Sequence, residues 1–335
     1  MQLQFTRKKI FFSLGLFFIF FLTTLALAPM IGPVNIDLNN ALFGGSFDSN
    51  NLDAEIFFLA RLPRILLAAL AGAALAVAGA VFQALLRNDL AAPFTLGVSS
   101  GASLGAVIAI SFLGISPQGF SFVPIAAFLG SLLAIFLVFG IVPNKHGELP
   151  APVMILAGVT VNFFFAALVM FIHYMSDISQ SFQIVRWLMG GLDITDYSTI
   201  LCISPIVLIG ICCLIFFSRD LNLLSTGIES AQSRGVNIIF VQRVSFICAS
   251  LITGAVVSVC GPITFLGLIV PHIVRLIIGP DNRILIPASM FFGATFLIIC
   301  DTAARTIIAP AEIPVGIITA MLGGPFFVWL LRKKL

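Results

Sequence analysis

Apolar stretches of about 20 residues alternate with short polar breaks along the whole chain, and about 20 residues is what a helix needs to cross a bilayer. Ten such stretches lie near 10 to 31, 62 to 86, 94 to 114, 121 to 142, 151 to 173, 199 to 217, 240 to 260, 262 to 279, 284 to 305 and 313 to 331. The pattern predicts an all-α polytopic membrane protein, one transmembrane domain over residues 1 to 335 with about ten spans. The eighth stretch is short and interrupted by Pro271, which blurs its edges. In the second, Ala68, Gly72, Ala76, Ala80 and Ala84 recur every fourth residue, and in the third Gly97, Gly101, Gly105 and Ala109 do the same. Each of these helices therefore carries one flat face suited to close packing in lipid.

Composition excludes a water-soluble domain, because 60% of residues are hydrophobic, 9% are charged and 34 are Phe. No soluble core of this length hides so much apolar surface. An even number of spans puts both termini on one side, and the basic residues identify it as the cytoplasmic side. Arg7, Lys8, Lys9, Arg87, Lys145, Arg219, Arg234, Arg243, Arg275, Arg283, Arg332, Lys333 and Lys334 all fall there. The opposite side keeps Arg61, Arg64, Arg186 and Arg305 together with most acids: Asp37, Asp48, Asp53, Glu55, Asp177, Asp193, Asp196 and Glu312. The opening Arg-Lys-Lys and Phe-rich run resembles a secretory signal, but an apolar stretch of about 20 residues exceeds the roughly 7 to 15 of a signal core. A retained first helix is expected.

Six cysteines, Cys202, Cys212, Cys213, Cys248, Cys260 and Cys300, sit in or at the ends of apolar spans without a C-x-x-C pair. They read as buried thiols. The three histidines, His146, His173 and His272, are scattered, so the chain is expected to hold no metal. None of the five lysines precedes Ser or Thr. A phosphate-cradling loop ends in Gly-Lys-Ser/Thr, so this chain has no such ATPase device and no catalytic residues stand out. The sizeable cytoplasmic polar segment is residues 218 to 240, where helix formers around Glu229, Ala231 and Gln232 and a stop at Gly235 predict a short helix from Ser225 to Val236. A folded connector of this kind would seat a soluble partner.

Several motifs, in order, resemble the permease subunits of the iron-siderophore, haem and cobalamin ABC importers, the FecCD-type family. They are RLPR at 61 to 64, GAALAVAGAVFQ at 72 to 83, Asn88 with LAAP at 90 to 93, LGVSSGA at 96 to 102 and ILAGV at 155 to 159. WLMGGL at 187 to 192, GPITFLGLIVPHIVR at 261 to 275, DTAAR at 301 to 305 and EIPVGIITAMLGGPFF from Glu312 to Phe327 follow.

The resemblance implies the type II ABC importer permease fold in the inner (cytoplasmic) membrane of a bacterium. It implies a second permease copy or paralogue, two ATPase subunits that bind the ATP and Mg, and a periplasmic or lipid-anchored substrate-binding protein. No cofactor in this chain and no nucleic acid are implied. Arg61, Arg64 and Arg305 match the family's outward arginines that meet acidic residues of the binding protein. A structural i, i+4 pair of Arg305 with Asp301 is the competing reading. Residues 218 to 240 match the coupling loop, with Thr226, Gly227, Glu229, Ala231, Arg234 and Gly235 as its docking residues. Thr226 and Arg234 stand where the family commonly has Leu before Gly.

Asn88 and Leu90 match a cytoplasmic gate, and Asp89 replaces the family's intervening Pro. Pro would stiffen that turn, so Asp89 implies different gating or an answering inner-surface cation. A second gate position, polar in the cobalamin permease, falls on Ala151 and Pro152, which weakens a cobalamin assignment. Gly72-Ala73 before Gly79 and Gly254-Ala255 before Gly261 share one spacing, an echo that implies related halves over about 61 to 195 and 240 to 335.

The function that follows is alternating-access import of an iron chelate, an Fe(III)-siderophore, along a small-residue path and driven by a partner's ATP cycle. Haem and cobalamin are alternatives within the family. A stand-alone secondary transporter or channel is the rival class, and it would need an ionisable group within the membrane, for which Asp301 is the candidate.

Overall fold

The computed structural model describes residues 7–43, 51–113, 121–141, 150–193 and 196–334, and among these the chain is helical with no sheet. The helices are α1 Arg7–Leu27, α2 Leu38–Phe43, α3 Leu52–Glu55, α4 Leu62–Leu86, α5 Val98–Ile108, α6 Val123–Ile141, α7 Ala151–Met175 and α8 Ile178–Leu188. They continue with α9 Tyr197–Phe216, α10 Ser218–Thr226, α11 Ile228–Gln232, α12 Ile238–Cys260, α13 Leu266–Ile278, α14 Asn282–Thr306 and α15 Val315–Lys334. Among the described residues seven helical stretches are long and apolar enough to cross a membrane, and three shorter apolar ones, Val98–Leu113, Leu266–Ile278 and Val315–Leu330, complete the ten expected spans. The inner-side markers Lys145 and His146, and Asp48 opposite, lie outside the described residues.

At the centre stands α4, packed against α14, α12, α13 and α9. Its sequence from Ile65 to Leu86 has no charged residue. The repeat of small residues explains the packing. A Cβ on Gly72 would lie 2.2 Å from the carbonyl oxygen of Gly293 on α14, and one on Gly79 would lie 1.9 Å from that of Gly267 on α13. The backbones thus approach to a distance that only glycine permits. The stripe on α5 meets α6 in the same way, with Gly105 against the carbonyl of Ala126. By contrast α7 turns Phe163, Phe164, Met170, Phe171 and Tyr174 outward.

Three expectations need correction. The eighth span begins at Leu266 rather than near 262, because Gly261 ends α12, residues 262–264 are not helical, and Gly261 and Phe265 both have positive φ, 67° and 63°. The single helix expected from Ser225 to Val236 is instead α10 and α11, broken at Gly227, whose φ of 137° no helix accepts. Cys202 and Cys212 are exposed on α9 rather than buried, since an apolar span has an outer face as well as a packed one.

The close approach at Gly72 yields a direct test. Gly72→Ala forces α4 and α14 apart and should cost about 1–3 kcal/mol. The control Gly140→Ala, where nothing lies within 4 Å, should be neutral or slightly stabilising. Thermal unfolding in detergent measures both.

Candidate functional site

Two polar sites occupy opposite ends of α4. At its N-terminal end the chain winds through a π-helical turn, Ile56–Arg61, before Pro63 opens the regular helix. This wider turn places Arg61 and Arg64 on the packed side. Arg64 Nε lies 2.9 Å from Asp301 Oδ1 on α14, and its Nη1 lies 2.6 Å from Glu312 Oε2 in the segment before α15. Arg305, one helical turn after Asp301, brings its Nε within 3.0 Å of Asp301 Oδ2. The side chains of Asp301 and Arg305 are only 1% and 3% exposed. One buried carboxylate therefore serves two guanidinium groups, and the i, i+4 pairing read from the sequence is formed.

Arg61 is held differently. Its guanidinium donates to the carbonyls of Pro29 and Val34 in the segment after α1. Gly32 makes this possible, because a Cβ there would lie 2.7 Å from the guanidinium carbon. Arg61 and Arg305 are both buried. All three arginines thus lie at the predicted end of the bundle, with their charged groups turned inward to partners in the same chain. Glu312, 40% exposed, is the part of this network that meets the surface.

Beside it are two cavities of about 460 and 480 Å³ that share Arg186, Gly191 and Asp193. Arg186 pairs with Asp193 at 2.9 Å, and both are exposed. Glu312 and Pro314 line the larger cavity. Its wall, α8, was not foreseen, although Asp177 and Gln180 form a reciprocal capping box that is legible in the sequence.

At the other end of α4, Arg87 adopts a left-handed conformation (φ 47°) and closes the helix. The segment Asn88, Asp89, Leu90 follows. Asn88 Oδ1 accepts the Leu90 N–H at 2.9 Å, and Leu90 is 46% exposed. Asp89 Oδ1 meets Arg275 Nη1 of α13 at 2.7 Å, so the cation expected to answer Asp89 is Arg275. The same guanidinium donates through Nη2 to Gln83 Oε1 on α4, at 2.8 Å. Gln83 and Arg275 close two of the motifs but had been given no site role and were not paired, because partners this far apart in sequence leave no local signal.

The segment from 218 to 240 lies at this same end. Leu221, Leu224 and Ala231 are buried, and α10 packs on α4 and α14. Thr226, Glu229, Arg234 and Gly235 are exposed, while Gly227 makes the break. A groove of about 320 Å³ runs between α10 and the turn at 234–237. Asn222 anchors α10 by donating to Asp281 Oδ1 at 2.6 Å and accepting the Asn282 N–H at 2.7 Å. Hydrogen bonds from Arg283 and then Asn222 hold the Asp281 carboxyl below the ordinary carboxylate range. Among the described residues no group of three or more His, Cys, Asp or Glu is placed to hold a metal ion.

This arrangement, ten apolar helical stretches among the described residues with the glycine-packed α4 as one of them and a charged cluster at each of its ends, is matched over residues 16–333 by the model of the FecCD transport family. The chain belongs to the FecCD transport family. It is 42% identical to the cobalamin import system permease of Halobacterium salinarum, over 82% of this chain and 72% of that one. It is 38% identical to the hemin transport system permease of Yersinia pestis, over 94% and 95%. A solved transporter assigned to the metal-chelate ABC type, in an inward-facing conformation, superposes with a TM-score of 0.83 at 32% identity over 97% of this chain and 99% of that one. This FecCD protein is therefore an ABC importer permease, a transport subunit with the fold its sequence implied.

The buried network predicts unequal sensitivities. Asp301→Asn leaves Arg305 buried without its counter-charge and should cost about 3–5 kcal/mol. Glu312→Gln, at the surface, should cost no more than about 1 kcal/mol. Thermal melts of the two variants in detergent, side by side, provide the comparison.

Proposed function

We propose that this FecCD permease carries an iron chelate, an Fe(III)-siderophore, inward across the cytoplasmic membrane, with both termini on the cytoplasmic side. Alternating access is driven by two ATPase subunits acting on a pair of permeases, this chain with a second copy or a paralogue. The observation that carries the reading is the course of α4. It bears a charged cluster at each end and only apolar and small residues between, apart from Gln83 near its inner end. Between those ends α4 is buried core and brings no ionisable group to mid-depth, where an ion-coupled carrier needs one; a bulky chelate held by shape needs none. Asp301, the candidate of that rival class, is already matched by Arg64 and Arg305.

In this reading Asn88, Asp89 and Leu90 form the cytoplasmic gate. The segment at 218 to 240, with Thr226, Gly227, Glu229, Ala231, Arg234 and Gly235, receives the ATPase, and Arg234 and Gly235 line its groove. Arg61, Arg64 and Arg305 form the docking region for a periplasmic or lipid-anchored binding protein, whose acidic groups would reach Arg64 by displacing Glu312. Two further features support related halves, 61–195 and 240–335. Gly72 of α4 packs on α14, and Gly254 of α12 packs on Ser131 of α6, so each half lends its first helix to the third helix of the other. Haem is the second reading, favoured by the nearly full-length match to the hemin permease. Cobalamin fits less well, since Ala151 and Pro152 offer no polar gate at the start of α7.

Purification of the tagged chain from native membranes, with mass spectrometry of what accompanies it, tests the proposal. A P-loop ATPase should co-purify and be lost when residues 225 to 236 become a Gly/Ser linker. Recovery of the chain alone, with solute flux intact in ATP-free liposomes, would overturn it.

A further inference from the structure

Arg275 holds two elements at once. Its planar guanidinium donates to Asp89 in the gate segment and to Gln83 on α4, and a forked donor is what such a double contact requires. The chain that follows is tightly braced. The Gly279 N–H returns to the carbonyl of Arg275 at 2.9 Å, which closes α13, and Gly279 takes a φ of 86°. Asp281 then caps α14 by accepting the Arg283 N–H at 3.0 Å, while its own carbonyl accepts the N–H groups of Ile284 and Leu285. Onto this brace Asn222 of α10 clamps at two points, donating to Asp281 and accepting from Asn282. From Asn222 the link runs by hydrogen bonds to Asp281 and Asn282, along the backbone through Pro280 to Gly279, by the Gly279 N–H to the Arg275 carbonyl, and through the Arg275 guanidinium to Asp89.

We propose that the segment from Arg275 to Asn282 is a rigid lever joining α10 to the gate segment 88–90, with Arg275 as its clasp and Asn222 as its handle. Displacement of α10 moves Asp281 and Asn282, and with them Arg275, so the Asp89 contact is strained or released while Leu90 shifts. Arg275, Gln83 and Asn222 are then positioning residues that no motif assigned. Asp89 supplies the grip that a Pro in that turn would not. Describing α10 as the driven element rests on the coupling role proposed above; the mechanical link rests only on the contacts.

Hydrogen–deuterium exchange on the full-length chain, purified with whatever accompanies it, reads the link without a transported ligand. Coupling between two sites is reciprocal. Asp89→Asn should speed exchange of peptides over 218–226, and Asn222→Ala that of peptides over 87–97. About tenfold is expected for loss of a charge-assisted hydrogen bond. Arg275→Lys, which keeps the charge and loses the fork, should speed both segments. Because Asp89 is at the surface and the α6 peptides serve as an internal reference, general unfolding is recognised. Acceleration confined to each variant's own segment would overturn the lever. Coupled exchange in preparations that bring no ATPase would support it while removing the coupling role of α10, so the two readings fail separately.

Discussion

How closely a neighbour can approach α4 decides most of this structure. In lipid, apolar side chains gain little by leaving one another for the solvent, so helix association depends on fit. The fit here is backbone to backbone, with α14 meeting Gly72 and α13 meeting Gly79. Once those contacts are fixed, the ends of α4 have no freedom. Arg64 is delivered to Asp301 on α14, and Gln83 is delivered to Arg275 on α13. The charged groups are thus located by residues that have no side chain, far from the charges themselves.

That placement also accounts for how so apolar a chain tolerates buried charge. An isolated buried ion is costly, whereas a compensated group with good geometry is sustainable. Asp301 is compensated twice, Arg64 is shared between Asp301 and Glu312, and Arg61 is satisfied by backbone carbonyls. The exposed Arg186–Asp193 pair is a different object: it is wet, at 63% and 50% exposure, and contributes little to stability. Its position on two cavities rather than its energy is what distinguishes it.

The helices, the flat faces and the two charged ends were legible because each is local. A period of four, a run of 20 apolar residues and an Arg at i+4 from an Asp need no knowledge of the fold. The breaks were less legible. Gly227 divides the connector because its backbone takes a conformation closed to other residues, yet as a letter it does not differ from Gly235, which was read as the stop. The delayed start of α13 depends on a positive φ at Phe265, which nothing in the identity of Phe announces. Long-range partners were invisible. Asp89 called for a cation, and several lay on the same side in the charge count, but only the packing of α13 on α4 selects Arg275.

The short span draws these threads together. At 13 residues and about 1.5 Å per residue, α13 rises only about 20 Å, less than the roughly 30 Å hydrocarbon core. The missing length is supplied by the irregular residues before Leu266, and non-helical backbone at that depth is tolerated only where protein covers it or where it lines a cavity. Here it is covered: the Gly191 N–H donates to the carbonyl of Cys260, Gly190 lies against Pro262, and the Gly316 N–H donates to the carbonyl of Gly190. Those same turns adjoin the cavities at the arginine end. One short helix therefore has its loosely wound entry beside the cavities and its clasp, Arg275, at the opposite end against the gate segment. A rigid-body shift of α13 is accordingly felt at both ends of the bundle, whereas α4, gripped by glycine contacts along its length, is the element it would move against.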